Sequence, residues 1–442
     1  MKRVLLGAAA ALMLAAPGVA AAQSQLGAAI DARAKAIEGK LIAWRRDIHQ
    51  NPELGDVEHR TAKLVADHLK SLGMSVETGV ARTGVVGVLK GARPGPVVAL
   101  RADMDALPVK ELVDVPFASK ATGTYQGKTV PVMHACGHDT HVAILMATAE
   151  VLAGMKDRLP GTVVFIFQPA EEGTSLDDDQ LGGKSSGAER MVEEGVLSKH
   201  KVDAIFGLHV GGRLPTGWLQ WRSGPFMAAS DRMKITVRGR QTHGAQPWAG
   251  IDPIVLSSQI VLGLQTIASR QVEVTREPSI VTVGQIHGGA RNNIIPDVVE
   301  MEGTIRTFDV AMQDDIHARI KRTVEKIAES AGGSAEVEIV KGYRPTINHA
   351  ELTKKMAPTL QRIAGPGKWD DNADKRTGAE DFSFFQEKVP GLFFNLGISP
   401  PETAATAAPN HSPLFYVDER ALVTGVRAMA HLTVDYMTSA GR

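Results

Sequence analysis

Four short apolar, β-branched runs end abruptly in polar residues: "PVVALRADMD" (96–105), "TVVFIFQPAEE" (162–172), "AIFGLHV" (204–210) and "GLFFNLG" (391–397). Such runs, bounded by Gly or Pro and alternating with helical segments, predict buried strands of a mostly parallel sheet. The stretch "DTHVAILMATAEVLAGM" (139–155) supplies a helix, with Val142, Leu145, Ala149 and Leu152 on one face. The pattern changes between residues 230 and 344. There "DRMKITVRGR" predicts a strand, "DPIVLSSQIVLGLQTIASR" a helix, and "PSIVTVGQIHGG" and "DVVEMEGTIRTF" two strands. A helix with Ile316, Ile320, Val324 and Ile327 aligned follows, and "AEVEIVKGY" predicts a last strand. The order βαββαβ is that of a split ferredoxin-like unit. The predicted fold is therefore a layered α/β domain, residues 23–229 and 345–442, interrupted by an α+β insertion, residues 230–344. The Gly/Ser-rich stretch 174–190 is predicted to be a surface loop.

Residues 1–22 stand apart. Lys2 and Arg3 precede an apolar run to Ala16, and the small residues Ala20 and Ala22 precede Gln23, the pattern of a signal peptide cleaved near Ala22. A periplasmic or secreted protein is expected. The run is short and broken by Pro17 and Gly18, and no later stretch reaches the roughly 20 apolar residues of a bilayer span, so no span is expected after cleavage. The formal net charge of zero leaves no electrostatic footprint for nucleic acid and favours small partners.

An exported chain meets an oxidising compartment, yet Cys136 is its only cysteine. It is either an inert packed thiol or a thiolate held by a metal. Its neighbours in "MHACGHDTH" (133–141), His134, His138 and His141, favour the second reading. Thiolate and imidazole suit zinc and similar divalent ions, and the helix starting nearby should lower the thiol pKa. His134 and His141 are assigned supporting roles. Ligands of open α/β sheets gather at the carboxyl ends of strands, which here supply Asp103, Asp105, Glu171, Glu172 and His209. One acid after a strand is usually a cap or turn residue; two adjacent glutamates need a cation. Nucleophilic catalysis by Cys136 is the rival reading, but carboxylates raise a thiol pKa. No Gly-x-Ser-x-Gly elbow or phosphate loop is present.

From Lys40 onward, "WRRDIHQNPELG", "LRADMDALPV", "MHACGHDTH", "QPAEEG", "GLHV", "GGARNNIIPD", "GTIRTF", "TGAEDFSFF" and "NHSPLF" occur in order. With these motifs the chain resembles the dizinc aminoacylase and carboxypeptidase family, most closely its branch of hippurate hydrolases and indoleacetyl-amino-acid amidohydrolases. The resemblance implies a catalytic α/β domain with a ferredoxin-like lid through which two chains pair as a homodimer. It implies Cys136, His138, Glu172, His209 and His411 as ligands of two divalent metal ions, with Cys136 as the bridge. Zinc or manganese is expected, with cobalt or nickel as alternatives. It further implies Glu171 as general base and acid, Asp105 as the carboxylate orienting a ligand histidine, and His243 as a lid residue reaching the reacting carbonyl. Asn293 and Arg306 would hold the substrate carboxylate. The expected activity is hydrolysis of N-acyl amino acids. A dipeptidase or carboxypeptidase is the alternative, and an inactive exported metal- or ligand-binding protein the remote one. Three departures stand out: Trp248 where the branch has a histidine, which suggests an apolar acyl pocket; a longer 174–187 segment; and Asp103 where the wider family has a histidine ligand, a change the branch shares.

Overall fold

The computed structural model describes residues 17–176 and 186–439, with side chains from residue 25. Residues 1–16, which hold most of the expected signal peptide 1–22, and residues 177–185 and 440–442 lie outside the described residues. Helices α1 (Pro17–Ala36), α2 (Glu38–Gln50) and α3 (His59–Ser71) lead into strands β1 (Ser75–Val80), β2 (Gly84–Lys90) and β3 (Arg93–Asp103). Helix α4 (His138–Ala153), then β4 (Pro160–Gln168), β5 (Ala204–Pro215) and the short β6 (Leu219–Gln220) follow. The insertion contributes β7 (Ser230–Arg238), α5 (Pro253–Thr266), β8 (Ser279–Gly288), β9 (Val298–Thr307), α6 (Val310–Ser330) and β10 (Ser334–Tyr343). The chain closes with α7 (Ala350–Ala364), β11 (Trp369–Asp370), β12 (Gly391–Ser399) and α8 (Leu422–Ser439).

The large sheet has the order β1-β2-β4-β3-β5-β12-β6-β11. Its centre, β4-β3-β5-β12, is parallel, and these are the four runs read from the sequence. The β1–β2 hairpin adds an antiparallel edge, with β2 antiparallel to β4. That hairpin has no strand-turn signature as clear as the central runs. Helix α4 packs behind the sheet and is buried at nearly every position from His138 to Leu152, not along one face. Neighbours α1, α2, α3 and α8 surround it, which explains why its sequence is apolar all round.

The insertion shows the predicted βαββαβ order, with an antiparallel sheet β8-β9-β7-β10. Asp252 starts α5 by accepting from the Ile254 and Val255 amides, and Asp309 starts α6 by accepting from Met312. Ile316, Ile320 and Val324 join Met233, Ile235, Val237, Leu256 and Ile260 in a core separate from those of the large sheet.

One loop expectation is corrected. Thr174 and Ser175 are buried, and Gly187–Glu193 is a helix whose start Ser186 caps by accepting from the Glu189 amide. Composition hid this because the same serine that marks a loop also makes an N-cap. The expected cleavage point after Ala22 falls within α1. Beyond it, Leu26, Ile30 and Ala34 recur every four residues and are buried against α8 and α4. Replacing Ile30 with Ala should lower stability by about 2–5 kcal/mol, read as a lower urea midpoint at constant slope. An unchanged midpoint would show that α1 is not an integral part of the core.

Candidate metal centre

Parallel strands in register bring their carboxyl ends to one edge, so residues far apart in sequence meet there. Strand β3 delivers Asp103 and Asp105, β4 runs into Glu171 and Glu172, and β5 carries His209. The Met104 amide donates to the Gln168 carbonyl at 2.9 Å, tying the ends of β3 and β4 together. Cys136 and His138 flank Gly137, which has φ +94°. An added Cβ there would lie 2.4 Å from Val210 Cγ2, so only glycine permits this turn against β5. His411 arrives from the loop after β12, its amide donating to the Ala135 carbonyl at 2.8 Å.

Among the clustered donor atoms, two groups share one sulfur. Cys136, His138 and His209 offer atoms within 4.8 Å of one another, and so do Cys136, Glu172 and His411. Cys136 Sγ is 3.3 Å from His209 Nε2, and His411 Nε2 is 2.8 Å from Glu172 Oε1. The far sides of the imidazoles are fixed: His209 Nδ1 donates to the Val210 carbonyl and His138 Nδ1 to the Asp105 carbonyl, both at 2.8 Å. Their Nε2 atoms therefore face the site with lone pairs available in the neutral tautomer. His138 Nε2 is buried without a hydrogen-bond partner, which a cation would satisfy. The arrangement fits a pair of divalent ions.

Asp105 governs the geometry from behind. Its Oδ1 accepts from the Glu171 amide at 3.0 Å and lies 3.2 Å from His138 Nδ1, while Oδ2 accepts from the Glu172 amide at 2.9 Å. Glu171 Oε2 lies 3.8 Å from His138 Nε2. Asn410, unassigned from the sequence, holds three segments at once. Its Nδ2 donates to the Cys136 and Val210 carbonyls at 3.0 and 3.1 Å, and its Oδ1 accepts from the Gly212 amide at 3.0 Å.

Of the other polar residues near this edge, His141 and Asp103 are otherwise engaged and His134 is not. His141 Nδ1 lies 2.5 Å from Asp103 Oδ1, and its Nε2 accepts from the Val210 amide at 2.9 Å, leaving no lone pair for a metal. Asp103 Oδ2 takes Arg101 Nη1 at 2.5 Å, so both Asp103 oxygens are committed. His134 is buried with neither ring nitrogen bonded, and burial holds its pKa at about 3, in the neutral form.

A cleft of about 600 Å³ opens over Cys136, Glu171, Glu172, His209 and His411. Arg306 of β9 lines it, as do Arg376 and Tyr343, neither of which the sequence reading assigned. The Tyr343 hydroxyl donates to the Glu171 carbonyl. His243 and Asn293 do not line the cleft of this chain; they sit together at the insertion's edge, where His243 pairs with Ile294. Trp248 is 80% exposed and also lies outside it, so the acyl-pocket role expected for Trp248 has no basis within one chain.

The family model for peptidase family M20/M25/M40 matches residues 99–435. The chain belongs to this peptidase family. Thermostable carboxypeptidase 2 of Saccharolobus solfataricus is 42% identical over 404 residues, 91% of this chain and 96% of that protein. IAA-amino acid hydrolase ILR1-like 2 of Arabidopsis thaliana is 38% identical, covering 90% of this chain and 85% of that one. The crystal structure of the Bacillus subtilis YXEP protein, described as a dinuclear metal binding peptidase from the M20 family, superposes with a TM-score of 0.76. It is 34% identical and covers 91% of this chain and 99% of that chain. This M20/M25/M40 member is accordingly a hydrolase.

In this family member the expected lowering of the thiol pKa by the α4 terminus is reversed. Burial, with the charges of Glu172 and Glu171, pushes the Cys136 thiol well above its usual range. Burial also opposes charge on His138, but Asp103 and Asp105 outweigh it and hold that imidazole up at about 10. Both groups therefore carry protons near neutrality in the metal-free protein. Cation binding should release at least two protons per chain, and apparent affinity should weaken as pH falls from about 8 to about 6. Calorimetric titration in buffers of different ionisation heat reads the count. A pH-independent affinity without proton release would contradict the assignment.

Proposed function

We propose that this chain is a metal-dependent amidohydrolase that cleaves the amide bond of N-acyl amino acids, hippurate-like conjugates among them, and releases the free amino acid. The observation that carries the reading is the convergence of two donor groups on one sulfur, Cys136, with Glu171 beside them. Cys136, His138 and His209 would hold one divalent ion, and Cys136, Glu172 and His411 the other; zinc or manganese suits these donors, with cobalt or nickel as alternatives. The ions supply positive charge that acidifies water and polarises the amide carbonyl.

Glu171 takes a proton from the attacking water as the new C–O bond forms. It returns that proton to the amide nitrogen as the C–N bond breaks, giving a carboxylic acid and an amine. In the metal-free protein burial and the nearby Glu380 and Glu172 push the Glu171 carboxyl well above the usual range, so it can act as a base only once the charge of bound cations has displaced its proton. Asp105 keeps both glutamate amides and His138 in place. Arg306, lining the cleft, binds the α-carboxylate next to the scissile amide.

The carboxypeptidase or dipeptidase alternative has support from the 42% identical carboxypeptidase, because an aminoacyl group is another acyl group to this machinery. The reading as an inactive binding protein is opposed by the presence of every donor together with Glu171. A panel of hippurate, N-acetyl amino acids and free dipeptides separates the three. N-acyl turnover is expected; dipeptide cleavage alone would install the peptidase reading, and no turnover by metal-loaded protein the binding reading. Glu171→Gln should lower kcat by about a hundredfold to ten-thousandfold with metal content retained.

Export and pairing belong to the same proposal. The N-terminal pattern supports a periplasmic or secreted protein. The insertion supports a homodimer: it leaves Leu262 71% and Ile286 50% exposed, and it holds His243 and Asn293 away from its own cleft, where a partner's cleft would use them. Native mass spectrometry of the exported protein should show twice the mass of a chain beginning near Gln23. A single full-length chain would sink both statements.

A further inference from the structure

The charges that line the cleft do not cancel in place. Among its acids, Glu172 faces His411 at 2.8 Å, and Glu380 faces Arg101 at 2.9 Å. Glu171 lies against His138. The two arginines have no such partner. Among the described residues, Arg306 makes no ion pair, and the acid whose field reaches it, Asp231, is already held by Gln313 at 2.8 Å and His317 at 2.7 Å. Among the described residues, Arg376 makes one side-chain hydrogen bond, from Nη2 to the neutral Gln220 Oε1 at 2.9 Å. Its neighbour Lys375, by contrast, pairs with Glu277.

Arg376 is also firmly placed. Its amide donates to the Phe226 carbonyl at 2.9 Å, and its own carbonyl accepts from the Ala228 amide at 3.0 Å. Burial pushes both guanidinium groups down from their ordinary value, partly offset by Asp231 at Arg306 and by no acid at Arg376. A desolvated guanidinium on a cleft wall, held only by an amide, is suited to an incoming anion, and its planar fork matches a carboxylate.

We propose that Arg376 is a substrate-binding residue that takes a second carboxylate, so that the preferred substrates are N-acyl amino acids carrying two carboxylates. The inference rests on the amidohydrolase reading above, in which Arg306 takes the first. Two substrate designs place the second group: on the amino-acid side, as in N-acetyl-L-glutamate, or on the acyl side, as in N-succinyl-L-alanine. N-acetyl-L-alanine and N-acetyl-L-glutamine are the monocarboxylate references.

The test compares kcat/KM for each dicarboxylate with its reference in the wild type, Arg376→Gln and Arg376→Lys. Taking the ratio within one sample cancels the folded and metal-loaded fraction. The wild type should favour at least one dicarboxylate by on the order of tenfold to a hundredfold, and the Gln variant should bring that ratio close to one. Lys should retain part of it. If Arg376→Gln is too unstable to assay, the Lys ratio decides alone. A wild-type ratio at or below one, or a ratio that neither variant changes, overturns the inference and leaves the amidohydrolase reading standing. If no amide is hydrolysed, that reading fails instead. Calorimetric binding of N-acetyl-L-glutamate and N-acetyl-L-glutamine to metal-loaded protein, with and without Arg376→Gln, then decides the role of Arg376: an Arg376-dependent preference for the glutamate compound supports it, and equal affinities overturn it.

Discussion

A buried thiol, three imidazoles and two adjacent carboxylates crowd one strand edge, and their mutual electrostatics dominate the chain's design. Without a cation, burial and the carboxylates push the Cys136 thiol up, Asp103 and Asp105 overcome burial to hold a proton on His138, and burial keeps His209 neutral. Such a cluster is costly by itself, because buried charges require partners. Two divalent ions sharing the sulfur, as proposed, would resolve the conflict by replacing the protons on Cys136 and His138. The same charges then serve the chemistry proposed for Glu171, which sits at the margin of the cluster facing the cleft.

The surrounding fold holds this cluster rigid. Parallel pairing of β4, β3, β5 and β12 fixes which residues reach the edge. Asp105 locks the two glutamate amides and one imidazole to β3, and Asn410 locks the cysteine turn to β5 and the His411 loop. Gly137 allows the turn that sets Cys136 and His138 on the same side. Further out, the Arg101 guanidinium sits between Asp103, Glu380 and Asp381, at 2.5, 2.9 and 2.8 Å, and offsets part of the charge of this second acid cluster.

Much of this was legible in the sequence because local pattern and final position coincide. The central strands announce themselves as apolar runs ending in acids or histidine, and the insertion's alternating and fourfold patterns name its six elements in order. Cys136 and the Glu171–Glu172 pair stand out because a lone thiol among histidines and two adjacent carboxylates after an apolar strand are odd for a globular chain. Other features depend on contacts that no local pattern encodes. Arg376 and Tyr343 belong to the cleft only because β10 and the loop after β11 fold back over it. Asn410 looks like an ordinary polar loop residue until three segments meet at its side chain. Ser186 reads equally as loop or cap, and only the helix that follows decides between them. His243 and Asn293 were assigned through resemblance, and a single chain does not carry them into its own cleft.

X-ray absorption spectroscopy of protein loaded with two equivalents of zinc tests the shared-sulfur centre most directly. A sulfur scatterer near 2.3 Å should be present in the average zinc environment. Its coordination number should be close to one per zinc, although the chain holds a single cysteine, and a metal–metal vector of about 3.5–4 Å should accompany it. Half a sulfur per zinc without a metal–metal vector would show that Cys136 binds one ion alone, and would contradict the account.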